Sequence, residues 1–370
     1  MSAITPIRMP KWGLSMQEGA IVQWWKEEGA VVAAGEDLVD IETTKITNVF
    51  QSPRAGTLRR IAAQTGETLP VGALIAVLAD EDVADAAIDA FVARFQADFV
   101  PGEVEESGEQ LALSTVEAGP FQIRVGQAGA GDALPILLIH GFAGDLNNWL
   151  FNIEAIAAKR PVVAIDLPGH GASSKSVGDG SLSTLASAVT ATANALGVAR
   201  FHLAGHSLGG AVAARIGADA PQRVASLTLI CPAALPGTTL SDAFVNGVVE
   251  ARRARDIKPL LEMLFANPAL VTKDMIEDML RFKRLDGADE ALAAIAARLL
   301  GPEDAAALQR DLSRIPSATI IASRNDHIVG APDAGRLPAG FDIVWIDGAG
   351  HMPHLEKAAE VNAIFVSLTD

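Results

Sequence analysis

The chain has 370 residues, of which 49% are hydrophobic and 20% charged, and its formal net charge is −16. That length implies two or three domains, the apolar share allows large cores, and the charged share is too low for a mainly disordered chain. The acidic balance excludes nucleic acid or an anionic membrane as the main partner. A single cysteine, Cys231, forbids an internal disulfide and fits a reducing compartment. No basic segment followed by an apolar run marks a secretory leader, and no apolar stretch reaches the roughly 18 residues that cross a bilayer. The expected location is the cytoplasm. The sequence has no HExxH, CxxC or clustered-histidine pattern, so no metal site is expected.

Residues 1–80 are dense in short β patterns separated by glycine. Residues 20–25, 37–42, 49–51, 56–62 and 73–78 read as strands. Gly29-x5-Gly35 precedes one of these strands, and Gly66-x5-Gly72 precedes another. This echo predicts a small sandwich of paired sheets with approximate two-fold symmetry. Between the halves lies Ile41-Glu42-Thr43-Thr44-Lys45-Ile46-Thr47, which puts Lys45 at an exposed hairpin tip. With Gly35-Glu36, Ser52-Pro53-Arg54-Ala55-Gly56 and Gly66-Glu67, this segment resembles the lipoyl domain of 2-oxo acid dehydrogenase-type complexes. The resemblance covers residues 4–79 and implies lipoate on Lys45. Thr44 stands where that family usually has aspartate.

Residues 81–118 read as an amphipathic helix and an acidic linker. Ile88, Phe91, Val92, Phe95 and Phe99 recur at helical spacing over residues 82–99. Such a helix packs on a neighbouring domain or docks a partner. Glu103, Glu105, Glu106 and Glu109 then mark residues 101–117 as a self-repelling linker.

From residue 119 to 370 strands alternate with helices, the pattern of a parallel sheet with crossover connections. The strands are expected near residues 135–141, 161–166, 201–204, 225–231, 318–322 and 341–346. Residues 233–315 break the alternation with helical patterns and read as a cap, its methionines and phenylalanines serving as core and lining. Arg252, Arg253, Arg255 and Lys258, then Arg281, Lys283 and Arg284, are its basic clusters. They form a solvated face or hold a phosphate-bearing ligand.

The segment Phe201-His202-Leu203-Ala204-Gly205-His206-Ser207-Leu208-Gly209-Gly210 reads as a strand, a tight turn and a helix. A serine there is exposed to a substrate carbonyl, while the helix start aims N–H groups at developing charge. Ser207 is the candidate nucleophile, and it needs a base, an orienting acid and oxyanion donors. His351 follows the last strand and is preferred as base over His354, which falls where a helix begins. Asp326, in the loop after the preceding strand, is preferred as acid over Asp347. Asp166 precedes the serine and breaks the order Ser, acid, His. Backbone N–H groups of Phe142 and Leu208 are the expected oxyanion donors. His140, His170 and His206 are expected to hydrogen-bond backbone in their turns.

The motifs H-G-F, D-L-P-G-H-G, G-H-S-L-G-G and G-A-G-H, in this order, resemble those of the α/β-hydrolase superfamily. The expected fold is therefore multidomain: an all-β lipoyl-like sandwich, then an α/β-hydrolase domain with a helical cap. Fused in one chain, the two resemble the acyltransferase components of acetoin dehydrogenase complexes. The H-x-x-x-D-G signature of trimeric acyltransferases is absent from the sequence. The resemblance implies acetyl transfer from the lipoyl arm to CoA in a cytoplasmic complex, with the chain as a homo-oligomer. It also implies partner subunits: thiamine-diphosphate-dependent acetoin-cleaving subunits and a dihydrolipoamide dehydrogenase that supplies flavin and NAD. A serine esterase or thioesterase bearing a lipoyl domain, and a non-catalytic lipoyl scaffold, are the alternatives.

Overall fold

The computed structural model describes residues 4–10, 12, 16–43, 47–101 and 111–369. The chain divides into two compact units that part near residue 108. The first holds β1 (Thr5–Arg8), β2 (Glu18–Trp24), β3 (Val31–Val32), β4 (Asp37–Glu42), β5 (Thr47–Gln51), β6 (Gly56–Ile61), β7 (Thr68–Pro70) and β8 (Leu74–Ala79). They form two four-stranded sheets, ordered β1-β8-β6-β3 and β5-β4-β2-β7. Exchanging the first four strands with the last four turns one order into the other. Each half of the sequence echo thus gives strands to both sheets, and the two halves interlock as a two-fold sandwich. Ile7, Ile21, Leu38, Ile41, Leu58 and Leu78 fill the space between the sheets.

The echo is set by backbone conformation. Gly29, Gly35, Gly66 and Gly72 have φ of 89°, 81°, 89° and 84°. A Cβ at Gly66 would meet nothing within 4 Å, so only the left-handed backbone demands glycine there. Gly66→Ala is expected to cost about 1–2 kcal/mol of stability, read by denaturant unfolding of the full chain. An unchanged midpoint would contradict this assignment.

Strand β8 is buried at every position. Ile75 and Leu78 face the sandwich core, while Leu74, Val77 and Ala79 face the helix α1 (Asp85–Asp98) through Ile88. Phe91, Val92 and Phe95 pack around that contact. The helical spacing in the sequence therefore serves packing on this unit's own sheet.

The second unit begins with an element that the polar composition concealed. Residues 112–118, read as the end of a linker, are strand β9 (Ala112–Ala118), paired antiparallel with β10 (Phe121–Ala128). β9 is an edge strand, exposed along most of its length, so its residues can be polar without loss of pairing. Then follow β11 (Ile136–Ile139), α2 (Ile153–Ala157), β12 (Val162–Ile165), α3 (Leu182–Ala195), β13 (Phe201–His206), α4 (Leu208–Asp219) and β14 (Val224–Ile230). The helices α5 (Asp242–Glu250), α6 (Ala254–Glu262), α7 (Lys273–Lys283), α8 (Ala288–Leu300) and α9 (Pro302–Asp311) interrupt the alternation. β15 (Ala318–Ser323), β16 (Phe341–Ile346), α10 (Pro353–Glu356) and α11 (Ala358–Thr369) complete the unit.

The sheet runs β16-β15-β14-β13-β11-β12-β10-β9. It is parallel from β16 to β12 and antiparallel at β10 and β9. Strands β11, β12 and β13 are buried at every position, as strands covered on both faces must be. In the insertion, Ile257, Leu261 and Ile276 pack with Met275, Met279 and Leu280. Those methionines are partly buried and pack against the core of the insertion.

Candidate active site

The sheet's carboxyl edge gathers the loops that carry the candidate residues. At the centre, β13 ends at His206, and α4 starts at Leu208. Ser207 bridges them with φ 55° and ψ −114°, a conformation that costs a non-glycine residue on the order of 1–3 kcal/mol. Its N–H donates to the Ile230 carbonyl at 2.9 Å, and its own carbonyl accepts from Ala211 and Ala233 at 3.1 Å. Glycine is required on both sides by close backbone approach. A Cβ at Gly205 would overlap the Gly209 carbonyl, and one at Gly209 would overlap the carbonyls of Ile139 and His140.

The loop after β11 approaches the same point. His140 donates from Nδ1 to the Gly141 carbonyl at 2.7 Å and accepts the Leu167 N–H at Nε2, 3.0 Å away. Burial pushes its pKa down, so it is neutral and serves as a brace. Ala143 has φ 59° in this turn. Among the described residues the Phe142 N–H has no protein acceptor, and Leu208 is the first residue of α4, where N–H groups lack intrahelical partners. Asp166, completely buried, accepts the N–H groups of Leu146 at 2.7 Å and Ala172 at 2.8 Å. It organises the flanking loops.

Asp326 and His351 are brought together. Nδ1 of His351 donates to Oδ2 of Asp326 at 2.9 Å. Oδ1 accepts the N–H groups of Ile328 at 2.8 Å and Val329 at 3.1 Å. Burial alone would raise the Asp326 carboxyl, but the His351 charge and hydrogen bond, with those two N–H groups, hold it below its ordinary value. The loop carrying His351 is fastened to the elbow, because His206 Nε2 donates to the His351 carbonyl at 2.8 Å. His206 lies between the rings of His351 and His354, both with centroids 4.6 Å away. Burial holds His206 well below the ordinary range and His354 at about 3. Both are neutral and set no like charge against a protonated His351.

The alternatives are placed elsewhere. The Asp347 side chain is 89% exposed beside Arg324, and His354 is buried against Trp149. His170 bonds the Pro168 carbonyl at 3.0 Å. In the insertion Lys283 is buried and bonds the Val248 carbonyl at 2.8 Å and Asp289 at 2.6 Å, with Arg252 on the same carboxylate at 3.2 Å. Those two cations therefore hold the helices together. Lys45 lies outside the described residues, between strands whose pairing ends at Glu42–Thr47.

Two residues near Asp326 and His351 were not singled out from the sequence for a place in this site. One is Glu356, at the end of α10. The other is Cys231, directly after β14, with φ 41°. Its sulfur and side-chain ligand atoms of Asp326 and His351 lie within 4.8 Å of one another. The signal was its position just past an apolar strand, the same as that of Ser207. Burial, then the Asp326 charge, pushes the thiol well above its ordinary value. Cys231 is expected to resist thiol reagents in the folded chain and to react only on denaturation, as followed by mass. Fast labelling of the native chain would contradict this.

Residues 5–78 match the family described as biotin-requiring enzyme, and residues 136–364 match the alpha/beta hydrolase family. The dihydrolipoyllysine-residue acetyltransferase component of the acetoin cleaving system of Pseudomonas putida is 44% identical over 363 residues, 98% of this chain and 97% of that protein. Its counterpart in Cupriavidus necator is 40% identical over 366 residues, 98% of this chain and 96% of that protein. Among solved structures, a bacterial membrane phospholipase A has a TM-score of 0.60 at 26% identity, covering 77% of this chain and 96% of its own. A 2-hydroxy-6-oxo-6-phenylhexa-2,4-dienoate hydrolase from Rhodococcus shares the fold, with a TM-score of 0.63 at 18% identity, covering 70% of this chain and 99% of its own. With a lipoyl-type sandwich ahead of an α/β-hydrolase sheet and this similarity along nearly its whole length, the chain belongs to the dihydrolipoyllysine-residue acetyltransferase components of acetoin cleaving systems.

Proposed function

We propose that this chain passes an acetyl group from a lipoyl arm on Lys45 to CoA through Ser207, with His351 as base and Asp326 as its orienting acid. The pairing of β4 with β5 ends at Glu42–Thr47, and the short connection between them, which includes Lys45, fits a lysine presented for modification. Bound there, lipoate carries the acetyl group as a thioester.

Ser207 Oγ attacks the thioester carbonyl while His351 Nε2 takes its proton. Asp326, ionised, holds the Nδ1–H and stabilises the imidazolium. The N–H groups of Phe142 and Leu208 receive the oxyanion. His351 then returns the proton to the departing sulfur, leaving acetyl-Ser207. The CoA thiol gives its proton to His351 and attacks this ester, and Ser207 is regenerated when the second tetrahedral adduct collapses. Between the steps water must be kept from acetyl-Ser207, a task suited to the helical insertion α5–α9.

The observation that carries this reading is the join itself: an acyl-carrying type of domain and a serine elbow in one chain, shared with relatives named as acetyltransferase components. Those names also support membership of a multienzyme assembly. Thiamine-diphosphate-dependent acetoin-cleaving subunits and a dihydrolipoamide dehydrogenase are the partners proposed, with the chain as a homo-oligomer. No helix among the described residues is long and apolar enough to cross a membrane.

Product analysis tests the reaction class. With S-acetyldihydrolipoamide and CoA, acetyl-CoA is the expected main product, and omitting CoA should nearly stop turnover. Acetate release at the same rate without CoA would make the chain a thioesterase.

A further inference from the structure

Glu356 has no part in the chemistry above, yet its carboxylate ties its own end of the chain to a residue 90 positions earlier. Oε2 accepts the Gly350 N–H at 2.6 Å, and Oε1 accepts the Ala266 N–H at 2.8 Å. Gly350 immediately precedes the base. Ala266 lies in the stretch between α6 and α7. The same stretch takes a third bond, because the His351 N–H donates to the Leu264 carbonyl at 2.8 Å. The approach leaves no room for a side chain at position 350, where a Cβ would come within 2.7 Å of the Ala266 nitrogen and 2.8 Å of the Leu264 carbonyl.

We propose that Glu356 is a positioning residue for His351: it ties the base's loop to residues 264–267 of the helical insertion, so that the imidazole is placed only while that segment is seated. The inference rests on the reading of His351 as base. Without Glu356 the Gly350 and Ala266 N–H groups lose their acceptors, and among the described residues the lacing keeps the bond from His351 to Leu264. A carboxylate suits this place because each oxygen faces an N–H. Burial pushes the Glu356 carboxyl up, while the N–H groups of Gly350, Ala266 and Asn267 pull against that. The chemical consequence is that an acyl-enzyme can be formed and resolved only when the insertion covers it, and this favours CoA over water.

The test is Glu356→Gln in the full chain. The amide keeps one oxygen but turns an NH2 toward the other N–H, which breaks one of the two bonds. The kcat for acetyl transfer from S-acetyldihydrolipoamide to CoA is expected to fall roughly 10- to 100-fold, the scale of a misplaced catalytic group, with KM for CoA nearly unchanged. Hydrolysis of 4-nitrophenyl acetate should fall by a similar factor, since it uses the same base. In a His351→Ala background the change should cost nothing further, because Glu356 acts through His351. Hydrogen exchange should rise together at residues 264–267 and 350–351 and nowhere else. An unchanged kcat, or an equal further loss in the His351→Ala background, would overturn the proposal. If Glu356→Gln does not fold, Glu356→Asp replaces it, one methylene too short to reach both segments, with the same readouts. Ser207→Ala is the parallel control: full transfer in that variant would overturn the acyl-serine reading, whereas the Glu356–His351 cycle would still judge this one.

Discussion

Ser207→Ala lowers acetyl transfer by on the order of 10⁴–10⁶-fold, and adding His351→Ala and Asp326→Asn costs little more. That is the expected result if the three residues work as one unit, because each step needs the serine oxygen and the imidazole together. Asp326→Asn alone should cost less, on the order of 10³–10⁴-fold, since part of the His351 population can still accept a proton. Steady-state transfer with S-acetyldihydrolipoamide and CoA measures all of these, with folding checked by circular dichroism. Independent, additive losses would mean that the residues do not form one unit. Asp326 also carries a signed dependence on pH. Its carboxyl is held below the ordinary value, so its share of stability is present above about pH 4 and is lost as pH falls through the folded value. The stability deficit of Asp326→Asn should therefore shrink towards zero in strong acid.

Lys45→Arg should abolish the mass added by a lipoylating enzyme and stop transfer that depends on the chain's own arm. Transfer between free S-acetyldihydrolipoamide and CoA should stay within about twofold of wild type, because Ser207, His351 and Asp326 all lie in the second unit. Few substitutions separate the two units' tasks so cleanly. Lipoylation that survives in the variant would move the arm elsewhere. Equal loss of the free-substrate reaction would show that Lys45 acts on folding.

Much of the fold was legible because it is written in backbone-level rules. The Gly29/Gly35 and Gly66/Gly72 echo gave the two-fold sandwich, because left-handed turns need glycine. The apolar runs ahead of Ser207 and Asp326 gave the parallel strands, since strands covered on both faces have no polar side. β9 was hidden, because an exposed edge strand can carry the same residues as a linker. Of the candidate site, the chain order separated Asp326 from Asp166, and strand ends located Ser207 and His351. Asp347 ranks below Asp326 already by its place in the sequence, while its exposure depends on how the loop folds back. Lys283 reads in sequence as part of a solvated face or as a ligand cation and is instead a buried strut, because its partner Asp289 lies on the next helix. The contacts of Glu356 and Cys231 are made only after folding, and no spacing marks such contacts in advance.

Transfer through Ser207 requires that the acetyl group rest on its oxygen between donor and acceptor. Rapid mixing of the full chain with S-acetyldihydrolipoamide, quenching in acid and mapping the peptides by mass tests it most directly. An acetylated Ser207 peptide is expected to form in a burst without CoA, to be long-lived in water and to be discharged as acetyl-CoA once CoA is added. Normal acetyl-CoA formation by Ser207→Ala, with no acetylated peptide at any time in the wild-type chain, would contradict it and put direct attack by the CoA thiol in its place.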